Sequence, residues 1–271
     1  MARLTVVAEE QRNPGGETNL RVDGVTHVFE TAGGPLMAVT DVSFLVEEGT
    51  FVGLVGPSGC GKSSLLQMMA GLLNPTEGRI MIGNDEIREP KPAEIGVVFQ
   101  ESSLLPWKTA RENVEFPLYL RGVDRALREK TALEMLDLVG LGEFAERRPH
   151  ELSGGMKQRV AIARGFCQDP SILLMDEPFA ALDEQTRMTL GDELLQIWER
   201  HKKTVVFVTH SLTEAVYLCD KVLVMSARPG RILKEIAITL PRPRTYELMA
   251  TETFGRLRAE IWELIRGKDR P

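Results

Sequence analysis

The chain has 271 residues, of which 33 are Lys or Arg and 39 are Asp or Glu, giving a net charge of −6. Hydrophobic residues make up 43% and charged residues 27%, values typical of globular proteins, which excludes a disordered or collagen-like chain. Nucleic-acid-binding surfaces are usually basic, so the acidic balance predicts no nucleic-acid partner. The three cysteines are widely spaced and predict neither a disulfide framework nor a zinc site.

We expect no segment of the sequence to cross a membrane. The longest apolar runs, such as Ile172–Met175 and Val205–Val208, are far shorter than the about 18–20 residues that a spanning helix needs. The first residues lack the apolar region and cleavage site of a secretory signal. We therefore expect a protein of the reducing cytosol, whose link to any membrane comes through a partner protein.

The first part of the chain has the pattern of an α/β domain. Residues 1–18 are polar and predict a flexible N-terminal tail. From residue 19 to residue 240, short β-branched apolar runs alternate with helical patterns, which is typical of a mostly parallel sheet. Four of these runs are followed directly by a polar or glycine-rich element, and they are Phe51–Val55, Ile95–Phe99, Ile172–Met175 and Val205–Thr209. Because ligands bind beyond the carboxyl ends of parallel strands, we expect the functional site there.

The apolar spacing becomes helical in two later parts of the chain. Between about residues 101 and 165, periods such as Val114/Leu118 and Leu133/Leu136/Val139 predict an α-helical subdomain inserted into the α/β core. Residues 241–271 predict an amphipathic helical extension that packs on its own domain. Its apolar positions are Phe254, Leu257, Ile261, Leu264 and Ile265.

The first apolar run leads into a glycine-rich loop and then into a helical pattern. The loop fits G-x-x-x-x-G-K-[ST], in which backbone amides and a helix N-terminus cradle the phosphates of a nucleotide. Lys62 is expected to reach the β- and γ-phosphates, and Ser63 to bind Mg²⁺. A plain turn before a helix is the alternative, which the strand–loop–helix context disfavours. The candidate nucleotide-binding residues are Gly56, Pro57, Ser58, Gly59, Cys60, Gly61, Lys62, Ser63 and Ser64.

Two carboxylates, Asp176 and Glu177, follow the third apolar run. Asp176 is placed to hold Mg²⁺, and Glu177 is placed to orient or deprotonate an attacking water. A solvated turn is the alternative, and it is less expected in a chain that also has a phosphate loop.

The segment Leu152–Arg159, LSGGMKQR, predicts a second helix N-terminus suited to an anion. Ser153 can cap the helix, and Gly154 and Gly155 allow backbone amides to face the anion closely. A capping sequence without a ligand is the alternative. One nucleotide does not need two such helix termini from one subunit. We therefore expect each nucleotide site to be completed by a second copy of the chain.

These motifs together resemble, over about residues 20–265, the ATP-binding subunit of an ATP-binding cassette (ABC) transporter. The resemblance implies an α/β P-loop NTPase (RecA-like) fold. It has a mostly parallel sheet core, an N-terminal antiparallel β part and an inserted α-helical subdomain. The resemblance also implies ATP hydrolysis, ATP and Mg²⁺ as cofactors, and a homodimer that sandwiches two ATP molecules head to tail.

The resemblance implies two further catalytic residues. Gln100 would contact Mg²⁺ and the attacking water, and His210 would contact the γ-phosphate and support Glu177.

The resemblance also extends the set of nucleotide-binding residues. Gln158 belongs to the matching signature segment, and Asp183 to the D-loop, which begins with Ala180 where Ser is common. Phe29 matches the position of the aromatic residue that stacks on adenine, with a core Phe as the alternative.

Three segments resemble the importer branch for nitrate, sulfonate, taurine and bicarbonate, and they are LLPWKTARENV, Ala227–Ile232 and Pro241–Arg244. The resemblance implies transmembrane permease subunits as partners, an extracytoplasmic substrate-binding protein as an indirect partner, and a place on the inner face of the cell membrane. An exporter or lipid-trafficking subunit is the alternative, and a non-transport ABC ATPase is a more distant one. Leu104, Leu105 and Trp107 would line the groove for the permease or pack the subdomain core.

Overall fold

The protein is described by a computed structural model that covers residues 19–180 and 182–267, so the predicted tail 1–18 lies outside the described residues. Its central sheet has six strands: β3 (Phe51–Val55), β6 (Ile95–Val98), β7 (Ile172–Asp176), β8 (Thr204–Val208), β9 (Lys221–Met225) and β10 (Ile232–Ala237). Their order is β10-β9-β3-β8-β7-β6, and all except β10 run parallel. The predicted mostly parallel core is confirmed.

The four predicted apolar runs all belong to this sheet, with small differences at their ends. Strand β7 includes Asp176, while Phe99 and Thr209 lie just beyond β6 and β8. Because the carboxyl ends of parallel strands meet at one edge, the polar residues that follow these strands converge there.

A second, antiparallel sheet covers one face of the central sheet. It has the order β2-β1-β4-β5 and is built from β1 (Leu20–Thr31), β2 (Gly34–Val46), β4 (Glu77–Ile82) and β5 (Asp85–Glu86). This sheet is the predicted N-terminal antiparallel part. A short parallel bridge between Val39 and Gly230 links β2 to the turn between β9 and β10.

Seven α-helices complete the described residues: α1 (Lys62–Met69), α2 (Ala110–Leu120), α3 (Arg125–Leu138), α4 (Gly154–Cys167), α5 (Glu184–His201), α6 (Leu212–Leu218) and α7 (Glu252–Arg266). Helix α1 and the antiparallel sheet pack on one face of the central sheet, and residues of α2 to α7 share the other hydrophobic core. Strand β3 supplies both cores, because Val52 and Leu54 point to the first and Phe51 and Val55 to the second.

The predicted helical periods between residues 101 and 165 form α2, α3 and α4. In the period Leu133/Leu136/Val139, Leu136 and Val139 are buried, whereas Leu133 is 40% exposed and the neighbouring Ala132 and Met135 are buried. Fully buried Asn113 of α2 holds the preceding loop through its side chain. Its amide nitrogen donates to the carbonyl oxygens of Leu105, Lys108 and Thr109, and its oxygen accepts from the Leu105 N–H at 2.7 Å.

The predicted C-terminal helix forms as α7 and packs against α6, β9 and β10 through buried Phe254, Leu257 and Ile261. The segment before it contains buried Arg244, whose guanidinium donates to three carbonyls at the end of α6. These belong to Val216 (3.3 Å), Tyr217 (2.8 Å) and Cys219 (2.7 Å). Burial lowers the pKa of Arg244 to about 10, so the side chain remains a cation at neutral pH. Among the described residues, no helix is long and apolar enough to cross a membrane.

Candidate active site

The predicted phosphate loop joins β3 to α1 in a conformation that depends on glycine. Gly59 and Gly61 have φ angles of +72° and +103°, and a Cβ on Gly61 would lie 2.5 Å from Val39 Cγ1. The Leu65 N–H donates to the Gly61 carbonyl, which leaves the earlier amides of α1 without intrahelical partners. The loop and helix end together present backbone N–H groups and a partial positive charge suited to phosphate.

Lys62 places its ammonium inside this loop. The residue is buried, and its Nζ donates to the carbonyl oxygens of Gly56 at 2.9 Å and Pro57 at 3.0 Å. An ammonium has three donors, so these two bonds leave one available for an anion. The neighbouring Cys60 is buried, and this burial raises the pKa of its thiol, which fits a small apolar role rather than a reactive one.

Ser63 and Asp176 meet across the sheet edge. The Ser63 hydroxyl, at the start of α1, donates to Oδ1 of Asp176 at 3.0 Å. Burial raises the pKa of Asp176, and the Glu177 carboxylate adds to the rise, while the Ser63 hydrogen bond opposes it. A hydroxyl and a carboxylate beside a phosphate loop are oxygen donors that suit Mg²⁺, which binds one or two carboxylates together with substrate phosphates. These residues therefore fit the ion that the sequence predicts.

Glu177 and His210 form a second contact at the same edge. His210 Nδ1 lies 3.0 Å from Glu177 Oε2, and because a carboxylate only accepts, the Nδ1–H donates. Glu177 has a φ of +43°, a strained backbone conformation for a residue that is not glycine, and its N–H is held by the Val208 carbonyl at 2.9 Å. The backbone is thus held at the end of the strand, and the His210 contact holds the carboxylate.

Gln100 and Phe29 lie on or just after two other strands, β6 and β1. Gln100 is exposed just after β6. Phe29 is half-buried in β1 and belongs to neither hydrophobic core, which argues against the core alternative. Its ring makes an edge-to-face contact with buried His27, with centroids 4.5 Å apart.

The signature segment begins α4. Ser153 caps the helix by accepting the Met156 N–H at 3.3 Å, and both Ser153 and Gly154 are exposed. A Cβ on Gly155 would lie 3.3 Å from Thr186 Cγ2, so the segment packs closely on the start of α5. Gln158 is buried and its side-chain amide donates to the Phe99 carbonyl at 3.2 Å.

Asp183 caps the neighbouring helix, α5. Its two carboxylate oxygens accept from the Thr186 backbone N–H at 2.9 Å and the Thr186 hydroxyl at 2.6 Å. These two hydrogen bonds lower the pKa of Asp183. In the predicted D-loop, Ala180 is half-buried and Leu182 is buried, while Ala181 lies outside the described residues.

The structure thus joins some predicted residues directly and leaves others apart. Ser63 contacts Asp176, and Glu177 contacts His210, at the edge that also holds the phosphate loop. Among the described residues, no hydrogen bond or ion pair joins the signature segment (Ser153–Gly155) to that loop. Sequence reasoning assigned no role to two supporting residues, Asn113 and Arg228, although both lie in segments that resemble the importer branch. Their contacts are with irregular backbone, and Arg228 contacts a residue 169 positions away.

Comparison with known protein families gives a match over residues 39–180 to the family described as ABC transporter. An uncharacterized ABC transporter ATP-binding protein of Methanocaldococcus jannaschii is 50% identical over 84% of this chain and 85% of its own length. The nitrate import ATP-binding protein NrtD of Synechocystis is 44% identical over 93% and 96%. The aliphatic sulfonates import ATP-binding protein SsuB of Bacillus cereus is 43% identical over 89% and 93%.

Solved structures of ABC proteins also align with this chain. A dimeric ATP-binding cassette in a post-hydrolysis state, bound to ADP and Pi, aligns with a TM-score of 0.74 and 34% identity over 82% of this chain and all of that one. The cbiO1 protein of Clostridium perfringens, part of an ABC transporter complex, aligns with a TM-score of 0.73 and 25% identity over 89% and 94%.

Proposed function

The chain belongs to the ABC transporter family, whose ATP-binding subunits are ATPases coupled to transport, and we propose that it drives import through a partner membrane permease. The observation that carries the ATPase assignment is one edge of the central sheet. There the Lys62 ammonium, the Ser63–Asp176 contact and the Glu177–His210 contact lie beyond the ends of β3, β7 and β8. The names of two relatives, import proteins for nitrate and aliphatic sulfonates, support a small oxyanion as cargo. Nitrate, a sulfonate such as taurine, and bicarbonate are the candidates.

The phosphate loop binds the nucleotide in this proposal. Its backbone amides and Lys62 hold the β- and γ-phosphates, replacing part of the lysine contacts with the loop carbonyls. Ser63 and Asp176, with Gln100, would hold Mg²⁺, which neutralises phosphate charge when bound. Phe29, half-buried in β1, would stack on the adenine.

Glu177 and His210 act on the attacking water and the γ-phosphate. The Glu177 carboxylate orients the water and accepts its proton, and His210 holds that carboxylate by donating from Nδ1. The other imidazole nitrogen, Nε2, must also carry a proton to donate to the γ-phosphate, because phosphate oxygens only accept. General-base positioning of this kind contributes about 10²- to 10⁴-fold in rate.

The signature segment serves the nucleotide of a second copy. Ser153 and Gly154 are exposed at the N-terminus of α4, and a helix N-terminus attracts phosphate. In a head-to-tail homodimer, Ser153–Gly155 of one subunit therefore meets the γ-phosphate held by the other, with Asp183 at the same interface. Gln158 joins this segment to the end of β6, so it supports the nucleotide site from within the subunit.

The helical region, about residues 101–165, docks on the permease. Trp107 is 68% exposed, which favours the groove interpretation for this residue, whereas half-buried Leu104 packs against the core. Leu105 is also half-buried and is held by Asn113. We place the protein on the cytoplasmic side of the membrane through this contact, with an extracytoplasmic binding protein delivering the cargo.

A co-purification experiment tests the proposal. The chain is tagged in its host, membranes are solubilised gently, and the proteins that remain bound are identified. A multi-spanning membrane protein in stoichiometric amount is the expected result. Recovery only from the soluble fraction, or with nucleic acid, contradicts the transport role.

The cargo is tested in a strain that lacks the gene. Uptake of labelled nitrate, taurine and bicarbonate is compared with and without the restored chain. Restored uptake of one anion by the wild type and by the surface control Glu143→Gln, but not by Glu177→Gln, is expected. Unchanged uptake of all three anions contradicts the proposed cargo class.

A further inference from the structure

The turn between β9 and β10 lies against both the phosphate loop and the antiparallel sheet. We call residues 226–231 the strap. The Gly230 N–H donates to the Ala38 carbonyl at 2.9 Å, and the Thr40 N–H donates to the Gly230 carbonyl at 3.0 Å. The strap is thereby attached to β2 on one side while its other side faces the loop.

The contact between strap and loop is close enough to require glycine. A Cβ on Gly230 would lie 2.1 Å from the Cys60 carbonyl oxygen, a distance that no substitution can accommodate without moving the loop. The Ser226 hydroxyl donates to the Pro229 carbonyl at 3.1 Å and accepts the Arg231 N–H at 3.0 Å, which fixes the turn from inside. The strap therefore has a defined shape against the loop.

Arg228 extends from the strap to the loop backbone. Its Nε and one terminal nitrogen both donate to the Gly59 carbonyl oxygen, at 3.0 Å and 2.8 Å. Hydrogen bonds from a charged donor are stronger than neutral ones, and the planar guanidinium fixes the direction of its partner. Arg228 is exposed, so water competes with this contact and its effect is moderate.

Holding the Gly59 carbonyl also sets the direction of a neighbouring amide. The Gly59–Cys60 peptide is planar and trans, so its C=O and N–H point in opposite directions. Because the oxygen points to Arg228, the Cys60 N–H points back into the loop. There it donates to the Pro57 carbonyl oxygen, and the distance between the two atoms is 3.3 Å. That bond is longer than usual, which leaves this N–H free to exchange it for a phosphate oxygen. A cation on the carbonyl also polarises the peptide and strengthens the N–H as a donor.

We propose that Arg228 is a positioning residue that sets the affinity for the nucleotide phosphates by orienting the Gly59–Cys60 peptide. The inference rests on the proposed ATP binding by this loop. It assigns to the strap a role in the reaction without any contact with the nucleotide.

The experiment compares three variants of the full chain. Arg228→Met removes both the charge and the guanidinium donors, whereas Arg228→Lys keeps the charge. Arg231→Met alters an exposed arginine of the same strap whose backbone N–H and carbonyl serve the turn. The dissociation constants of Mg–ATP and Mg–ADP are measured by calorimetric titration, and kcat and KM by phosphate release.

The expected loss of affinity for Arg228→Met is about five- to tenfold for both nucleotides, with a higher KM and a kcat within about twofold of wild type. Arg228→Lys is expected to recover part of this loss, and Arg231→Met to leave both constants unchanged. Equal loss for ATP and ADP is expected because the oriented amide serves the phosphates that they share.

Two results overturn the inference. One is unchanged affinity in Arg228→Met, and the other is an equal loss in Arg231→Met. The Lys62→Ala variant separates this failure from failure of the proposed function. If wild type binds ATP and Lys62→Ala does not, an unchanged Arg228→Met rejects only the strap inference. If wild type itself binds no ATP, the proposed function is rejected.

Discussion

Helices α1 and α4 both begin with a short polar and glycine-rich segment, but their surroundings differ. The start of α1 lies at the edge where β3, β7 and β8 end, and side chains from those strands reach it, as the Ser63–Asp176 contact shows. The start of α4 has its own cap, Ser153, and otherwise lies exposed. The start of α1 therefore has polar side chains of its own subunit around it, whereas the start of α4 offers mainly its own exposed backbone and cap.

The difference follows from topology. Parallel strands bring distant residues to one edge, so the α1 terminus, which carries Lys62 itself, has two carboxylates and a histidine at the same edge. The α4 terminus is held rigidly instead, because Gly155 packs on Thr186 and Gln158 binds the Phe99 carbonyl. An exposed and firmly held helix N-terminus suits recognition of a phosphate held by another molecule.

The largest effect is expected for Glu177→Gln. Losing the general base should lower turnover about 10²- to 10⁴-fold, or about 3–5 kcal/mol, while the phosphate loop still binds ATP. Phosphate release and gel filtration with ATP should show a stable dimer with little hydrolysis. Glu143→Gln, on the exposed surface, is the control. Near-normal turnover of the Glu177→Gln variant would contradict the role of Glu177 as general base.

Lys62→Ala is expected to act on binding rather than on chemistry alone. Removal of a charged donor from the phosphates should cost about 1.5–3 kcal/mol, which is about 10- to 100-fold in ATP affinity. Calorimetric titration measures this, with the exposed Lys130→Ala as control. ATP affinity equal to that of the control would contradict the role of the loop.

Gly154→Leu tests the α4 terminus. A Cβ at Gly154 meets nothing within 4 Å, so the subunit should fold and bind ATP normally, while hydrolysis falls about tenfold or more because the partner nucleotide is displaced. Gly255→Leu, at another helical glycine with open space around it, is the matched control. Ser153→Ala should act in the same direction, with about 1 kcal/mol lost from the helix cap.

The same variant tests whether the two termini work across subunits. Gly154→Leu is mixed with Asp176→Asn, so that a mixed dimer contains one intact pair of termini. Recovery of hydrolysis above either variant alone is expected. Absence of recovery would show that the α4 terminus does not act on the other copy.

The smallest effect is expected for Phe29→Ala. Loss of stacking on the base should weaken ATP binding by about 0.5–1.5 kcal/mol, which raises the dissociation constant about two- to twelvefold, and Phe29→Tyr should preserve affinity. The comparison with Phe144→Ala, another partly exposed aromatic, separates base stacking from general loss of apolar surface. Equal affinities in all three variants would reject the stacking role.

The sequence predicts the residues at the start of α1 more completely than the residues that hold the surrounding loops in place. Ser63 and Asp176 are 113 positions apart, yet both belong to motifs at strand ends, so the rule of converging strands predicts their meeting. Asn113 and Arg228 act through side-chain bonds to distant or irregular backbone, for which no local pattern exists. The period Leu133/Leu136/Val139 predicts a helix, but Leu133 is 40% exposed whereas Leu136 and Val139 are buried. Periodicity predicts a helix more reliably than it predicts which residues of that helix face the core.

The buried guanidinium of Arg244 has a consequence for the position of His210. Helix α6 begins two residues after His210 and contains only seven residues, too few to persist without tertiary support. Two of its last carbonyls, those of Val216 and Tyr217, and the carbonyl of the capping residue Cys219 accept hydrogen bonds from Arg244. The C-terminal segment therefore supports the helix that follows His210, and we expect a chain shortened before residue 244 to hold this histidine less firmly, although the histidine itself is not deleted.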